Sequence, residues 1–404
     1  MSLVLNTNVD SMVAQNSLTT SGTQLASALQ QLSTGLRVNT AADDAAGYAI
    51  AQGMTSQVNG LNQAAQNAND GVSLTQTASG AMTEITNDLQ TMRDLAVESL
   101  NATNSSNDRA DLNAQYSQLA ADVNNVAANT QFNGVNLLNG TFQGADFQIG
   151  ANAGQIISVA SIASTSTNAI GNYYTTAATT GAYADTTADA GNTASFDITV
   201  GTNASVTTGP VTLTGNQTTD LANIASAINE SLGSSDGIVA TVNPGTGGAA
   251  GSISLSTASG TAQNVTIALD TSSTSTSSVN GLGLDTTYAL GSAGGTANNL
   301  SNTSVNSVDS SNLVLISIDN ALQQLATSSA QLGAYQNRFQ AAITGLNTDS
   351  TNLSNAKSSI VDTDYASATS SLSKAQILQQ AGTAMVAQAN TIPQNILTLI
   401  QKLP

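Results

Sequence analysis

Apolar residues recur at seven-residue spacing near both ends of this chain. From Leu18 they fall at Leu25, Leu29, Leu32 and Leu36, in steps of 7, 4, 3 and 4; near the other end Leu378, Met385, Ile392, Ile396 and Leu399 follow in steps of 7, 7, 4 and 3. Such spacing places each set along one seam of an α-helix. Neither seam can bury its apolar face alone, and isolated helices are marginal in water. Each stripe is the other's most economical partner. The expected architecture is therefore a hairpin of the whole chain, its two ends paired antiparallel and everything else inserted between them.

Helical spacing continues inward from both ends. Met54, Val58, Leu61, Ala65, Ala68 and Val72 form one set, and Met82, Ile85, Leu89 and Met92 another, so with the first stripe they predict three helices. A long helix is expected over residues 313 to 360, and Pro393 is expected to kink or restart the last helix near Ile392 by removing a backbone donor. Between about 130 and 300 the period changes to two. Asn133-Gly134 and Asn139-Gly140 are hairpin signals. "SFDITV", "PVTLT", "GIVATV", "SISLS" and "NVTIAL" read as strands around a short helix carrying Leu221, Ile224, Ile228 and Leu232. The fold class is α+β and multidomain, with an inserted β-rich region bounded near residues 165 and 300.

Composition narrows the function. Among 404 residues only 8% are charged, with 7 Lys and Arg against 25 Asp and Glu, for a net charge of −18. That balance argues against nucleic acid and against anionic membrane surfaces as partners. No Lys or Arg lies between 110 and 337. Cys and His are both absent, which removes disulfides, thiolate chemistry and the commonest general base and metal ligand. No stretch is long and apolar enough to suggest membrane insertion, and the first residues do not read as a secretory signal peptide.

One stretch concentrates charge: "STGLRVNTAADDAAGYAIAQGM", residues 33 to 54, with Arg37 and the adjacent pair Asp43 and Asp44. As a metal site the pair is poor, since neighbouring helical residues point about 100° apart and no Glu or His stands nearby. The structural reading is a joint. Asn39-Thr40 would end one helix and cap the next, the two Asp would sit in its first turn, and Gly47 with the surrounding Ala residues would permit close packing.

These motifs resemble bacterial flagellin. "LSTGLRVNTAADDAAGYAIAQGM", "LNQAAQNANDGVSLTQTASGAMTEITNDLQTMRDLAVES" and "NTQFNGVNLLNG" are similar to the N-terminal region of that family. "SIDNALQQLATSSAQLGAYQNRFQAAITGLN" and "IPQNILTLI" are similar to its C-terminal region. The resemblance implies a structural, non-enzymatic subunit of the bacterial flagellar filament, extracellular, exported without a cleaved signal peptide and carrying no cofactor. It implies an inner-core coiled coil from 1–42 and 363–404, a helical outer core with a β-hairpin from 43–165 and 300–362, and a variable surface-exposed insertion of one or two domains over 166–299.

Site residues follow from the same resemblance. Leu25, Leu29, Leu32, Leu36, Leu378, Met385, Ile392, Ile396 and Leu399 are expected to make subunit contacts, and Arg37, Asp43, Asp44 and Gly47 to form the helix joint. Leu89, Gln90, Arg93, Asp94, Leu95 and Val97 resemble the helix bound by the flagellin-sensing toll-like receptor, a helix that also touches neighbouring subunits. At this helix Thr91 and Met92 replace the Arg and Val often found in the family, and Ala42 stands where a Lys is common. Expected partners are other copies of the chain, the flagellar cap, junction proteins, an export chaperone and the secretion apparatus. Alternatives are a hook-filament junction protein or a filament whose insertion acts as adhesin or sheath. A metalloprotease insertion is excluded because His-Glu-x-x-His needs His.

Overall fold

The computed structural model describes residues 7–175, 191–201, 205–232, 238–243, 252–257, 263–270, 286–290 and 296–401. Two compact units emerge: residues 1–69, 148–157 and 340–404 in the first, and 70–147 and 158–339 in the second.

In the first unit helix α1 (Val9–Thr34) pairs along its length with the last helix, α6 (Tyr365–Gln401). The pairing is antiparallel: Asn8 Nδ2 donates to the Ala389 carbonyl at 2.9 Å and Ser11 Oγ to Asn390 Oδ1 at 2.8 Å, whereas Gly35 lies beside Tyr365. The chain-wide hairpin is thus present, but the deepest positions are not leucines. Helix α1 buries Ser11, Ser21 and Ala28, and α6 buries Ala368, Ala375 and Ala389. Small residues let the two backbones approach. Gly382, seven positions from both Ala375 and Ala389, is so close to α1 that a Cβ there would meet Leu18 Cδ1 at 3.2 Å.

Helix α1 stops at Gly35, whose φ of 70° returns its N–H to the Gln31 carbonyl at 2.9 Å. That is earlier than the expected end at Asn39-Thr40. Residues 35–38 are then tied to 360–363: Arg37 N–H donates to the Val361 carbonyl at 2.7 Å, Thr363 N–H to the Gly35 carbonyl at 2.9 Å, and the Arg37 guanidinium to the Ile360 carbonyl. A cation thus meets the C-terminal carbonyls of helix α5 (Val308–Val361). Helix α5 starts before the expected 313 because the Ser307 hydroxyl accepts from Ser310 N–H at 3.1 Å, capping its first turn. No restart interrupts α6 at Pro393. One lost donor costs about 3 kcal/mol or more, and the helical hydrogen bonding resumes beyond it.

The two inner stripes expected as separate helices are one, α2 (Ala45–Ser99), which contributes to both units. Leu74 and Ala78, both buried, carry the apolar face from Val72 to Met82 without a Pro to interrupt it. In the second unit that face buries Met82, Ile85, Leu89, Met92 and Ala96. Helix α3 (Ser106–Asn129) adds Tyr116 and Val123, and α5 adds Val314, Ile318, Leu325 and Phe339. Gly71 is required here, because a Cβ would lie 2.5 Å from Phe339 Cζ. Arg109 closes the end of α2 by donating to the Ser99 and Asn101 carbonyls at 2.9 and 3.2 Å.

Strands β1 (Gln131–Phe132) and β2 (Val135–Asn136) flank Asn133-Gly134, whose φ values of 49° and 79° are those of a type I′ hairpin turn. The second Asn-Gly pair forms a turn without a hairpin, because Asn139 Oδ1 instead accepts from Thr141 N–H and its hydroxyl, at 3.0 and 2.7 Å. Strands β3 (Ala145–Gln148) and β4 (Ile156–Val159) pair next.

The inserted region contains β5 (Tyr173–Thr175), β6 (Thr193–Ala194), β7 (Phe196–Val200), β8 (Val206–Thr207), β9 (Val211–Thr212), helix α4 (Gln217–Leu232), β10 (Ile238–Asn243), β11 (Ser252–Thr257), β12 (Gln263–Leu269), β13 (Thr286–Leu290) and β14 (Thr296–Asn298). Its two four-stranded sheets run β10-β11-β5-β14 and β13-β12-β7-β8. One hydrophobic cluster unites Phe196, Ile198, Leu221, Ile224, Ile253 and Ile267. The insertion leaves and re-enters at one place, since Thr175 pairs with Thr296 in the β5–β14 register.

Candidate assembly surface

Among the described residues, the α1–α6 pair leaves many of its large apolar side chains in solvent and buries none of them fully. Because small residues occupy the closest seam, the flanking positions cannot all turn inward. Leu25, Leu32 and Leu36 are half-buried, whereas Leu29 is 50% exposed, Leu378 40% and Met385 64%. Ile392, Ile396 and Leu399 continue along α6, with side chains outside the described residues. The heptad reading missed Val9, Met12, Val13 and Ile377, all more exposed than Leu29. Their signal was present: Val9, Met12 and Val13 stand at i, i+3 and i+4, a second apolar face beside the leucine seam. Val13, Ala14, Ser17, Leu378, Gly382 and Met385 line a groove of about 590 Å³ between the helices. Apolar residues dominate its lining, which also holds Asp10, Ser17, Ser21 and Gln388, and such a surface suits apolar side chains of another polypeptide.

The joint beyond α1 uses its carboxylates separately. Asp43 Oδ2 accepts from Thr40 N–H at 2.8 Å, Asn39 N–H at 3.1 Å and the Thr40 hydroxyl at 3.1 Å. These bonds, led by that from the Thr40 backbone, hold its carboxyl below the usual range. Asp44, not Thr40, caps α2, accepting from Gly47 N–H at 2.8 Å, and it precedes the first turn rather than lying within it. Asp44 sits against Gly47 so closely that a Cβ there would meet its Oδ2 at 2.2 Å. Both acids are therefore engaged by backbone N–H groups, and among the described residues no group of three His, Cys, Asp or Glu could hold a metal.

In the 89–97 stretch the helical period divides the expected contact residues. Leu89 is fully buried and Leu95 is buried as well, so these two serve the core and are removed from the surface set. Gln90, Asp94 and Val97 are exposed. Arg93 Nε donates to Asp319 Oδ1 at 2.8 Å, bridging α2 and α5, and this bond raises its pKa. Both partners are partly solvated, so the pair is worth little stability by itself, and it fixes side-chain direction instead.

No helix of the described residues is long and apolar enough to cross a membrane. Residues 5–143 match the bacterial flagellin N-terminal helical region, and residues 315–400 match its C-terminal helical region. Flagellin B of Vibrio cholerae is 37% identical over 99% of this chain and all of its own length. B-type flagellin of Pseudomonas aeruginosa is 33% identical, again over 99% of this chain and all of the relative. The solved structure of FliC from Burkholderia pseudomallei covers 66% of this chain and 99% of its own at 25% identity, with a TM-score of 0.39. From both ends inward, and over its whole length against these relatives, the sequence places this chain in the bacterial flagellin family.

Proposed function

We propose that the solvent-facing side of the α1–α6 pair is where one subunit meets the next in the flagellar filament, the extracellular structure that flagellins build for swimming. The observation that carries this reading is the division of labour in the pair: small residues join the two helices within one chain, and the large apolar ones remain unspent. Burial of a Leu, Met, Val or Ile side chain is worth about 1.5–3 kcal/mol, so Val13, Leu29, Ile377, Leu378 and Met385 hold a large reserve for association. On this reading residues 1–42 and 363–404 form the inner tube, 43–165 with 300–362 the surrounding helical layer, and 166–299 the outer surface. Gln90, Asp94 and Val97, with Arg93 held by Asp319, offer a further edge to neighbouring copies or to the flagellin-sensing toll-like receptor. Export without removal of a leader, and transient contact with chaperone, cap and junction proteins, fit termini that find full burial only in the assembly.

The test is a Leu378→Ser, Met385→Ser double variant. Soluble chains should keep their helical signal, because both residues are exposed there. The concentration needed to grow filaments should rise at least about tenfold, the consequence of losing 1.4 kcal/mol or more per added subunit. Unchanged polymerisation would remove this face from the assembly.

A further inference from the structure

We propose that Asn133, at the tip of the β1–β2 hairpin, is a site of spontaneous covalent modification: its side-chain amide is converted through a cyclic imide to aspartate and isoaspartate. The inference rests on a contrast among three Asn-Gly pairs that the structure holds in different surroundings. An Asn followed by Gly is the most reactive arrangement because no side chain hinders the following backbone nitrogen.

At Asn59-Gly60 that nitrogen is committed to the hydrogen-bond ladder of α2, and a Cβ on Gly60 would press on Ala151 Cβ at 2.9 Å. The backbone there has no room to rotate. At Asn139-Gly140 the side-chain oxygen Asn139 Oδ1 accepts from the Thr141 N–H and hydroxyl, and Ser164 Cβ stands 3.1 Å from the place of a Gly140 Cβ. Asn133 differs in each respect. Among the described residues its side chain has no hydrogen-bond partner and nothing lies within 4 Å of a Cβ built on Gly134, and both turn residues are exposed. The flanking strands are two residues each, so opening the turn disturbs little pairing. Asn280-Gly281 lies outside the described residues.

In the reaction the Gly134 nitrogen, losing its proton, attacks Asn133 Cγ. A C–N bond forms, the Cγ–Nδ2 bond breaks, and the nitrogen leaves as ammonia carrying the transferred proton. Water then opens the imide at either carbonyl. Opening on one side leaves aspartate; on the other it routes the main chain through the former side chain and lengthens the turn by one methylene. Either product adds a negative charge to a chain that already carries −18, beside the exposed Val135.

Trypsin cannot resolve the sites, since no Lys or Arg lies between Arg109 and Arg338, but cleavage after Phe132 and Phe142 releases both hairpin-region pairs in one peptide, Asn133–Phe142. The folded full-length chain and a denatured sample would be incubated at mildly alkaline pH, unfolded, digested and read by fragment mass spectrometry. Conversion at Asn133 should outpace that at Asn139 and Asn59 by about tenfold or more in the folded chain, the suppression that local structure imposes where opening is required. The three should converge in the denatured chain. Isoaspartate, detected by enzymatic methyl transfer, should accompany aspartate. Equal rates at Asn133 and Asn139 in the folded chain would overturn the proposal, as would aspartate appearing without isoaspartate.

Discussion

In the inserted region Phe196, Ile198, Ile224, Ile228, Val265 and Ile267 are each no more than 1% exposed, whereas α1 and α6 leave Val13 and Met385 at 58% and 64%. The inserted region carries acids and no base, whereas α1 and α6 together carry only Asp10 and Lys374. What differs is where each finds partners for its apolar groups. Strand β7 alternates inward and outward residues, β11 is buried along nearly its whole length, and α4 packs into the same cluster, which closes a core from a single chain. The helical pair joins through Ser, Ala and Gly, whose burial contributes little hydrophobic stabilisation per residue, and keeps its larger groups outside. On the proposed reading, a region that completes itself is free to vary without affecting assembly, and one that leaves its large side chains uncovered ties its own order to the presence of other copies.

The sharpest way to break this contrast is to remove the uncovered half. Deleting residues 378–404 takes away Leu378, Met385 and everything after them along α6. Electron microscopy should find no filaments, while thermal unfolding of the inserted region, followed by circular dichroism, should stay unchanged. Filaments of normal length would show that α6 is dispensable and that the exposed face has no role in assembly. A core substitution should give the opposite pattern. Phe196→Ala empties a site at the centre of the inserted cluster and should cost about 3–5 kcal/mol of that region's stability, read as a lowered melting transition. Filament growth should persist. If Phe196→Ala stopped assembly, the inserted region would be part of the assembling core.

The same contrast explains what could be read from sequence. The inserted core was legible because period two and the i, i+3, i+4 spacing of Leu221, Ile224 and Ile228 report burial directly when a region buries its own residues. The terminal helices were legible as helices, and their pairing as well, yet the leucine heptads misled about which residues touch within the chain. Ser21, Ala28, Ala375 and Gly382 carry no hydrophobic signal, so a pattern search passes over the seam that joins them. Period alone also could not assign partners, since a residue apolar for another copy looks the same as one apolar for its own core. In the joint, Asp43 and Asp44 could be seen to favour a helix start, but Gly35 had already ended α1. Two short-range hydrogen-bonded turns, rather than one cap, fill the interval.

A third experiment asks how independent the inserted region is. Because Thr175 and Thr296 are partners in one register, a short Gly/Ser turn can replace residues 176–295 without separating the ends it joins. Loop-closure cost changes by only about 0.6 kcal/mol per doubling of length, so the helical part should unfold within a few degrees of its original temperature. Filaments should still form and should be thinner. Loss of helical signal in the excised chain would mean that α5 depends on contacts from the inserted strands.

The smallest expected effect tests that last dependence at one residue. Asp309, in the first turn of α5, is half-buried near the backbone of Val242 on β10, and burial raises its carboxyl pKa against the opposing influence of that backbone. A carboxyl whose folded pKa is raised contributes most below its unfolded value, and that contribution is lost as pH climbs through the folded pKa. Asp108, at the start of α3, has the reverse character. Ser105 N–H donates to it at 2.8 Å and, with the Ser105 hydroxyl, lowers its pKa, so its contribution is present above the usual carboxylate range and fades as pH falls below it. Asp309→Asn keeps the shape of the side chain and removes the half-buried charge. The variant should therefore unfold at a slightly higher temperature than the parent at pH 7, and the two should converge at pH 3, where Asp309 is protonated. Asp108→Ala should show the opposite trend, losing stability at pH 7 and matching the parent in acid. If Asp309→Asn were destabilising at neutral pH and remained so in acid, the carboxylate charge would not be what sets the strength of the α5–β10 contact.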